Sequence, residues 1–252
     1  MVDPMIQAFF PNPLPRYGQT VFVVNRLSRY AMIFAMAMLI LLIWLGPVGA
    51  QPTEDATSEE AKAAFTRLQS FISNMRTMEA DFLQRVANPA QGTPGESKGR
   101  FYASRPGKFR WDYVFPFVQN IVSDGKEIFF YEPDLKQVSI ANWSRLNDSP
   151  ASFFVSNEPL ATVFDWSVYS DPVFNSPAVH LKPKKDGEVQ YIDVVLSPEN
   201  DTLIRLSILD NMGNLSHFHF YKSRINADIP PDRFQFKVPE GVDIVRTNAV
   251  KQ

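Results

Sequence analysis

GRFYASRPGKFRWDY, residues 99–113, decides the fold class. Phe101, Ala103 and Arg105 alternate with Arg100, Tyr102 and Ser104. After the turn signal Arg105-Pro106-Gly107, the residues Phe109, Trp111 and Tyr113 alternate with Lys108, Arg110 and Asp112. Successive side chains of a strand point to opposite faces, so a period of two reads as two strands, each with one apolar face. Downstream, QNIVSDGKEIFFYEPDLKQV at residues 119–138 keeps the rhythm. Apolar segments at 118–122, 128–131 and 137–141 are divided by Ser123-Asp124-Gly125-Lys126 and Glu132-Pro133-Asp134, and Phe115-Pro116 precedes them. Turn signals at this short, regular spacing predict an antiparallel meander.

Working outward, the rhythm breaks between residues 142 and 164. Ser149-Pro150 reads as an N-cap with proline at the first helical position, opening Ala151-Ser152-Phe153-Phe154-Val155. A second apolar stretch, 160–164, follows Glu158-Pro159. Both are too short to hold a helix unaided and must lean on something. Strands are expected again at 166–170, 178–182, 189–196, 203–209 and 215–221, with a last piece at 233–238 before Pro239-Glu240-Gly241. Upstream, Thr57 and Glu60 have capping-box spacing. Ala64, Phe65, Leu68, Phe71, Ile72 and Met75 then recur at helical spacing, an amphipathic helix of about five turns. The expected class is mainly β: one antiparallel sheet of about 10–11 strands, an N-terminal helix and short helices at the break. A single sheet of that size curls, and its concave side needs either a packed core or a ligand.

Residues 31–45, AMIFAMAMLILLIWL, are apolar throughout, with Arg26 and Arg29 before them and Gly46-Pro47-Val48-Gly49-Ala50 after. This predicts a secretory signal over 1–50, cut after Ala50, and one folded domain over 51–252. A membrane anchor needs a longer run, about 20 residues. The 252-residue chain has no cysteine, which excludes a disulfide framework, a thiol nucleophile and lipid attachment to an N-terminal cysteine of its own. It has 25 basic and 27 acidic residues and no long basic run, so nucleic acid is not an expected ligand. Phenylalanine is over-represented, with 21 residues, which by itself fits a Phe-rich β core.

Catalytic and metal signatures are weak. His217 and His219 share a strand face, but no third ligand stands at suitable spacing, and exposed strand histidines are the expectation. Ser123-x-x-Lys126 matches a penicillin-binding motif only formally, because Asp124-Gly125 marks a hairpin turn where that motif needs a helix. No enzyme, metal or cofactor is expected. Arg105 shares its face with Phe101 and Ala103, and alternation leaves two readings open. Either it reaches past the strand end to water, or it is aimed into an apolar concavity, where it must find carbonyl partners such as those at the end of a short helix.

From Asp81 to Val138 the chain resembles the outer-membrane lipoprotein carrier proteins, the LolA family. The resemblance rests on DFLQ at 81–84, then a Pro/Gly-rich loop before Gly99, then Arg105-Pro106, Phe109-x-Trp111, Val122-Ser123-Asp124-Gly125-Lys126, Tyr131-x-Pro133 and Gln137. Phe234-x-Phe236 and Pro239-Glu240-Gly241-Val242 look like the family's closing strand and turn, whereas 165–223 matches only in strand rhythm. The resemblance implies an incomplete, strongly curled β-barrel whose apolar cavity is covered by lid helices. It implies a monomeric periplasmic chaperone that takes triacylated lipoproteins from an inner-membrane ABC transporter and hands them to an outer-membrane receptor. Arg105 would latch the lid through backbone carbonyls, with Phe154 and Val155 as candidate acceptors. The acyl cavity would be lined by Phe65, Leu68 and Phe71 from the helix, by Phe82, Phe101, Phe109 and Trp111 from the strands, and by Phe153 and Phe154 from the lid. The competing readings are a periplasmic lipid sensor or scaffold that uses the same cavity, and a secreted hydrolase.

Overall fold

The computed structural model describes residues 58–88, 91–142, 152–155 and 158–246. The signal expected over 1–50, Thr57 of the capping box and the Ser149-Pro150 cap lie outside the described residues. Helix α1, Ser58–Asn74, carries Glu59 and Glu60 in its first turn, where their charge suits the positive end of the helix dipole. It buries Ala64, Phe65, Leu68, Phe71 and Ile72 along one stripe, as the spacing predicts.

Twelve strands form one sheet: β1 (Thr77–Asn88), β2 (Gln91–Ser104), β3 (Lys108–Phe115), β4 (Gln119–Asp124), β5 (Glu127–Glu132), β6 (Gln137–Asn142), β7 (Phe164–Asp171), β8 (Ser176–Pro183), β9 (Val189–Leu196), β10 (Leu203–Asp210), β11 (Leu215–Ile225) and β12 (Asp243–Arg246). Their order is β12-β6-β5-β4-β3-β2-β1-β11-β10-β9-β8-β7. Two up-and-down meanders, β1–β6 and β7–β11, thus meet where β1 pairs with β11, in register Phe82 with Phe220 and Gln84 with Phe218. The short helices α2 (Ser152–Val155) and α3 (Leu160–Val163) lie between the meanders in sequence.

Three expectations need correction. The sheet has twelve strands, not ten or eleven; it is not strongly curled, and it is not wholly antiparallel, because β12 runs parallel to β6. The Pro/Gly-rich stretch before Gly99 is not a loop but the first part of β2. Gly99 is obligatory there: a Cβ would lie 2.1 Å from the Asp112 carbonyl oxygen and 2.9 Å from the Phe82 ring. Finally, residues 233–238 are not a strand. Pro230 and Pro231 set a 3-10 turn, Pro231–Phe234, and the segment crosses the outer side of the first meander on its rings. Phe234 is buried with Tyr102 and Ile229, and Phe236 stacks on Phe129 with centroids 5.3 Å apart.

The turn at 123–126 is a turn indeed. Ser123 Oγ donates to the Gly107 carbonyl at 2.9 Å, and Asp124 Oδ1 accepts the backbone N–H groups of Lys126 and Glu127 at 2.7 and 2.9 Å.

The outer face of the second meander holds a buried polar network. Ile192, Val194, Leu206 and Phe218 belong to the main core, so the alternating Asp193, Arg205, Ser207, His217 and His219 face the other way. Asp171 Oδ1 accepts from the N–H groups of Val173 and Phe174, each at 3.0 Å, while Oδ2 pairs with Arg205 Nη2. The Phe174 ring covers the Arg205 guanidinium at 5.3 Å and stacks on His219 at 6.0 Å. His217 Nδ1 and Ser207 Oγ are 2.8 Å apart, and His180 Nδ1 and Asp193 Oδ1 are 2.7 Å apart. His217 and His219 are therefore not exposed strand histidines. Burial pushes both below the ordinary imidazole range, and the neighbouring Arg205 charge pushes the same way.

Candidate functional site

The candidate site is the aromatic cluster on the inner face, and it starts from alternation. Phe82 on β1, Phe101 on β2, Trp111 on β3 and Phe218 and Phe220 on β11 all fall on the inward side of their strands. Trp111 packs on Phe82 at 4.9 Å, on Phe101 at 4.4 Å and on Phe218 at 5.1 Å. Into this group α2 sends Phe154, 4.7 Å from Phe101, 6.0 Å from Phe220 and 5.3 Å from its own neighbour Phe153. Four residues make too short a helix to stand alone, so α2 is held by what these two rings bury.

All nine cavity candidates lie in one contiguous cluster: Phe65, Leu68 and Phe71 from α1, Phe82, Phe101, Phe109 and Trp111 from the sheet, and Phe153 and Phe154 from α2. Each is buried. Sequence reasoning missed four partners. Phe218 and Phe220 fill the centre of the cluster; their same-face spacing was the available signal. Trp166 stacks on Phe65 at 4.2 Å with the planes 5° apart, and Tyr113 packs edge-on against Phe82 at 5.0 Å. Trp166 carried no local signal, because its partner lies on a helix about 100 residues upstream.

Arg105 turns toward the core and not past the strand end. Its Nη1 donates to the carbonyl of Ile72, in the last turn of α1, and its backbone N–H donates to the Arg76 carbonyl at 2.9 Å. The final carbonyls of a helix have no partner within it, so a guanidinium there satisfies a group that would otherwise be orphaned. Burial pushes the Arg105 pKa below its ordinary value. The Ile72 carbonyl is an acceptor additional to the Phe154 and Val155 carbonyls that the resemblance implies. Val155 is the last residue of α2.

The arrangement is a packed apolar cluster that receives two rings from a short helix, with a charged hydrogen bond at one corner. The family model for "Outer membrane lipoprotein carrier protein LolA" matches residues 73–237. The outer-membrane lipoprotein carrier protein of Chromobacterium violaceum is 34% identical over 73% of this chain and 87% of its own length. That of Methylococcus capsulatus is 35% identical over 71% and 86%, and that of Chromohalobacter salexigens 30% identical over 81% and 96%. The chain belongs to the LolA family of outer-membrane lipoprotein carrier proteins. Its function is lipoprotein carriage, and it is a chaperone and not an enzyme. The family works in the periplasm.

Proposed function

We propose that the chain is exported with loss of residues 1–50, and that the product beginning at Gln51 carries triacylated lipoproteins through the periplasm. It takes them as a monomer from an inner-membrane ABC transporter and hands them to an outer-membrane receptor. Three acyl chains hold about 45 methylene groups, so their exposure to water costs on the order of 30 kcal/mol at about 0.8 kcal/mol each. Free diffusion is excluded on that scale, and so is release into water at the far side. Transfer runs directly from one apolar site to another.

One observation carries the mechanism. Phe154 sits among Phe101, Trp111 and Phe220 as a removable plug, on a helix with little hold of its own. Acyl chains entering the site take the place of the α2 rings, so neither the empty nor the loaded protein exposes a large apolar patch. Contact across the inner face supports this reading: the Trp111 and Phe218 rings, from strands β3 and β11, meet at 5.1 Å where the plug sits.

Arg105 holds the closed form through α1, and its displacement accompanies loading. A charged hydrogen bond of this kind contributes roughly 1.5 to 3 kcal/mol, far less than acyl burial. The test is release from spheroplasts making a radiolabelled triacylated lipoprotein. The processed protein should bring label into the soluble fraction as a one-to-one complex. Arg105→Leu should fold and accept cargo yet release it abnormally. Normal handover by that variant would remove the latch from the mechanism, and absence of any release would remove the carrier cycle.

A further inference from the structure

The β3–β4 hairpin departs from the rest of the surface. Val114, Phe115, Phe117 and Val118 are 66, 50, 73 and 47% exposed, and they account for four of the nine large apolar side chains exposed among the described residues. They adjoin one another around Pro116, and no charged residue occurs between Asp112 and Asp124. The tip is set apart from the core face of the same strand. Phe109, Trp111 and Tyr113 share the inner face of β3, but a bulge follows: Gly99 opposes Tyr113 whereas Lys98 opposes Phe115, which turns Phe115 to the outer face beside Lys98.

We propose that this tip is a contact for a lipid bilayer, entering the headgroup and upper acyl layers. A convex loop of four apolar side chains is too small for a stable protein interface, which takes about 800 Å² per partner, whereas a bilayer accepts a convex apolar tip. Pairing of β3 with β4 satisfies the backbone below the tip, as an apolar layer requires, and Pro116 brings no N–H. The nearby charges are engaged within the protein, with Arg85 and Lys98 sharing Glu96. Lys98, 5.5 Å from the Phe115 ring, pairs with Glu96 at 3.1 Å, and Arg110 pairs with Asp112 at 2.7 Å. Attachment is therefore apolar in character and tolerant of salt. The inference goes beyond carriage, since it names the surface on which loading or delivery takes place.

The test uses processed protein recovered from the periplasm of cells expressing the full chain. Its N-terminus is checked by mass spectrometry, because residues 31–45 would bind lipid by themselves. Sedimentation with phosphatidylethanolamine–phosphatidylglycerol vesicles should show binding that persists in high salt. Phe115→Ser with Phe117→Ser should weaken it on the order of 100-fold, about tenfold for each ring withdrawn. Met212→Ser, on the exposed β10–β11 turn, should leave it unchanged. Absence of vesicle binding by the parent protein would overturn the proposal, as would full binding by a double variant of unaltered melting temperature. So would a self-association that the same two substitutions abolish, which would make a second copy the occupant. The spheroplast assay on the parent protein keeps the two readings apart: label released by a parent that binds no vesicles would overturn the tip alone, and vesicle binding without any release would overturn the carrier cycle alone.

Discussion

The two meanders are built alike and packed differently. In β1–β6 the inner face is aromatic, with Phe82, Phe101, Phe109 and Trp111, and the outer face is covered by the chain's own C-terminal segment through Phe234 and Phe236. In β7–β11 the inner face is largely aliphatic, with Val179, Leu181, Ile192, Val194, Leu206 and Ile208, and the outer face is closed by the network around Asp171 and Arg205. Rings offer broad faces that slide over an acyl chain, and the plug from α2 sits on them. Branched aliphatic side chains interlock and make a firmer wall. The difference assigns the moving part of the site to the first half and the fixed part to the second.

That division can be broken at its strongest point first. Asp171 and Arg205 are both buried, with side chains 3 and 12% exposed, and Asp171 also caps the turn that carries Phe174. Asp171→Ala leaves a buried guanidinium without its carboxylate, at a cost of about 3–5 kcal/mol. Urea unfolding should show this as a large fall in midpoint, and Asp171→Leu with Arg205→Met should recover part of it. A cost below about 1 kcal/mol would show that the second meander is not held by this pair.

Next in size comes the first meander. Gly99→Ala places a methyl against the Asp112 carbonyl and the Phe82 ring. The backbone must shift, and overpacking of this kind costs about 1–3 kcal/mol. The perturbation falls on the aromatic face, so cargo release from spheroplasts should fall further than thermal stability does. Equal losses in the two measurements would argue against a mobile aromatic half.

The smallest effect is graded with pH and belongs to the second meander alone. His217 and His219 are held below the usual imidazole value of about 6.5, facing Arg205 on β10 with Asp193 on β9 and Asp171 on β7 nearby. The unfolded chain then binds more protons than the folded one, so stability rises with pH across this window. It is fully present above the usual histidine value and is lost as pH falls toward the lower folded value. The urea midpoint should drop between pH 7.5 and 5.5, and His217→Gln should flatten the slope. A midpoint independent of pH would mean that the network accepts the extra proton without strain.

The first meander was legible in the sequence because its information is local. Alternation at Phe101–Ala103 and Phe109–Trp111, punctuated by Pro106-Gly107 and Asp124-Gly125, specifies strands and turns within a few residues. The stripe on α1 was legible for the same reason. Arg105 was half legible: its face was evident, but its acceptor on Ile72 lies 33 residues away. The outer network was not legible. Asp171, Arg205 and His219 are ordinary polar residues on the outward positions of strands, and only the sheet order brings them together. Nor was the parallel strand β12, whose partner β6 is about 100 residues upstream. Of the apolar tip at 114–118 only the turn signal Phe115-Pro116 was legible, since composition does not distinguish a buried Phe-Pro-Phe from an exposed one.

The pairing of β1 with β11 has a consequence for how the chain acquires its structure. Phe82 and Phe220 are neighbours in the sheet but 138 residues apart in the chain. Closing so long a loop must precede the contacts that reward it, which makes such topologies slow to fold. Until the eleventh strand docks, the aromatic side of the first meander has nothing to rest against. The newly made carrier is thus, for that interval, a client with the same exposed grease as its own cargo, and whatever shields it must act before it can shield anything else.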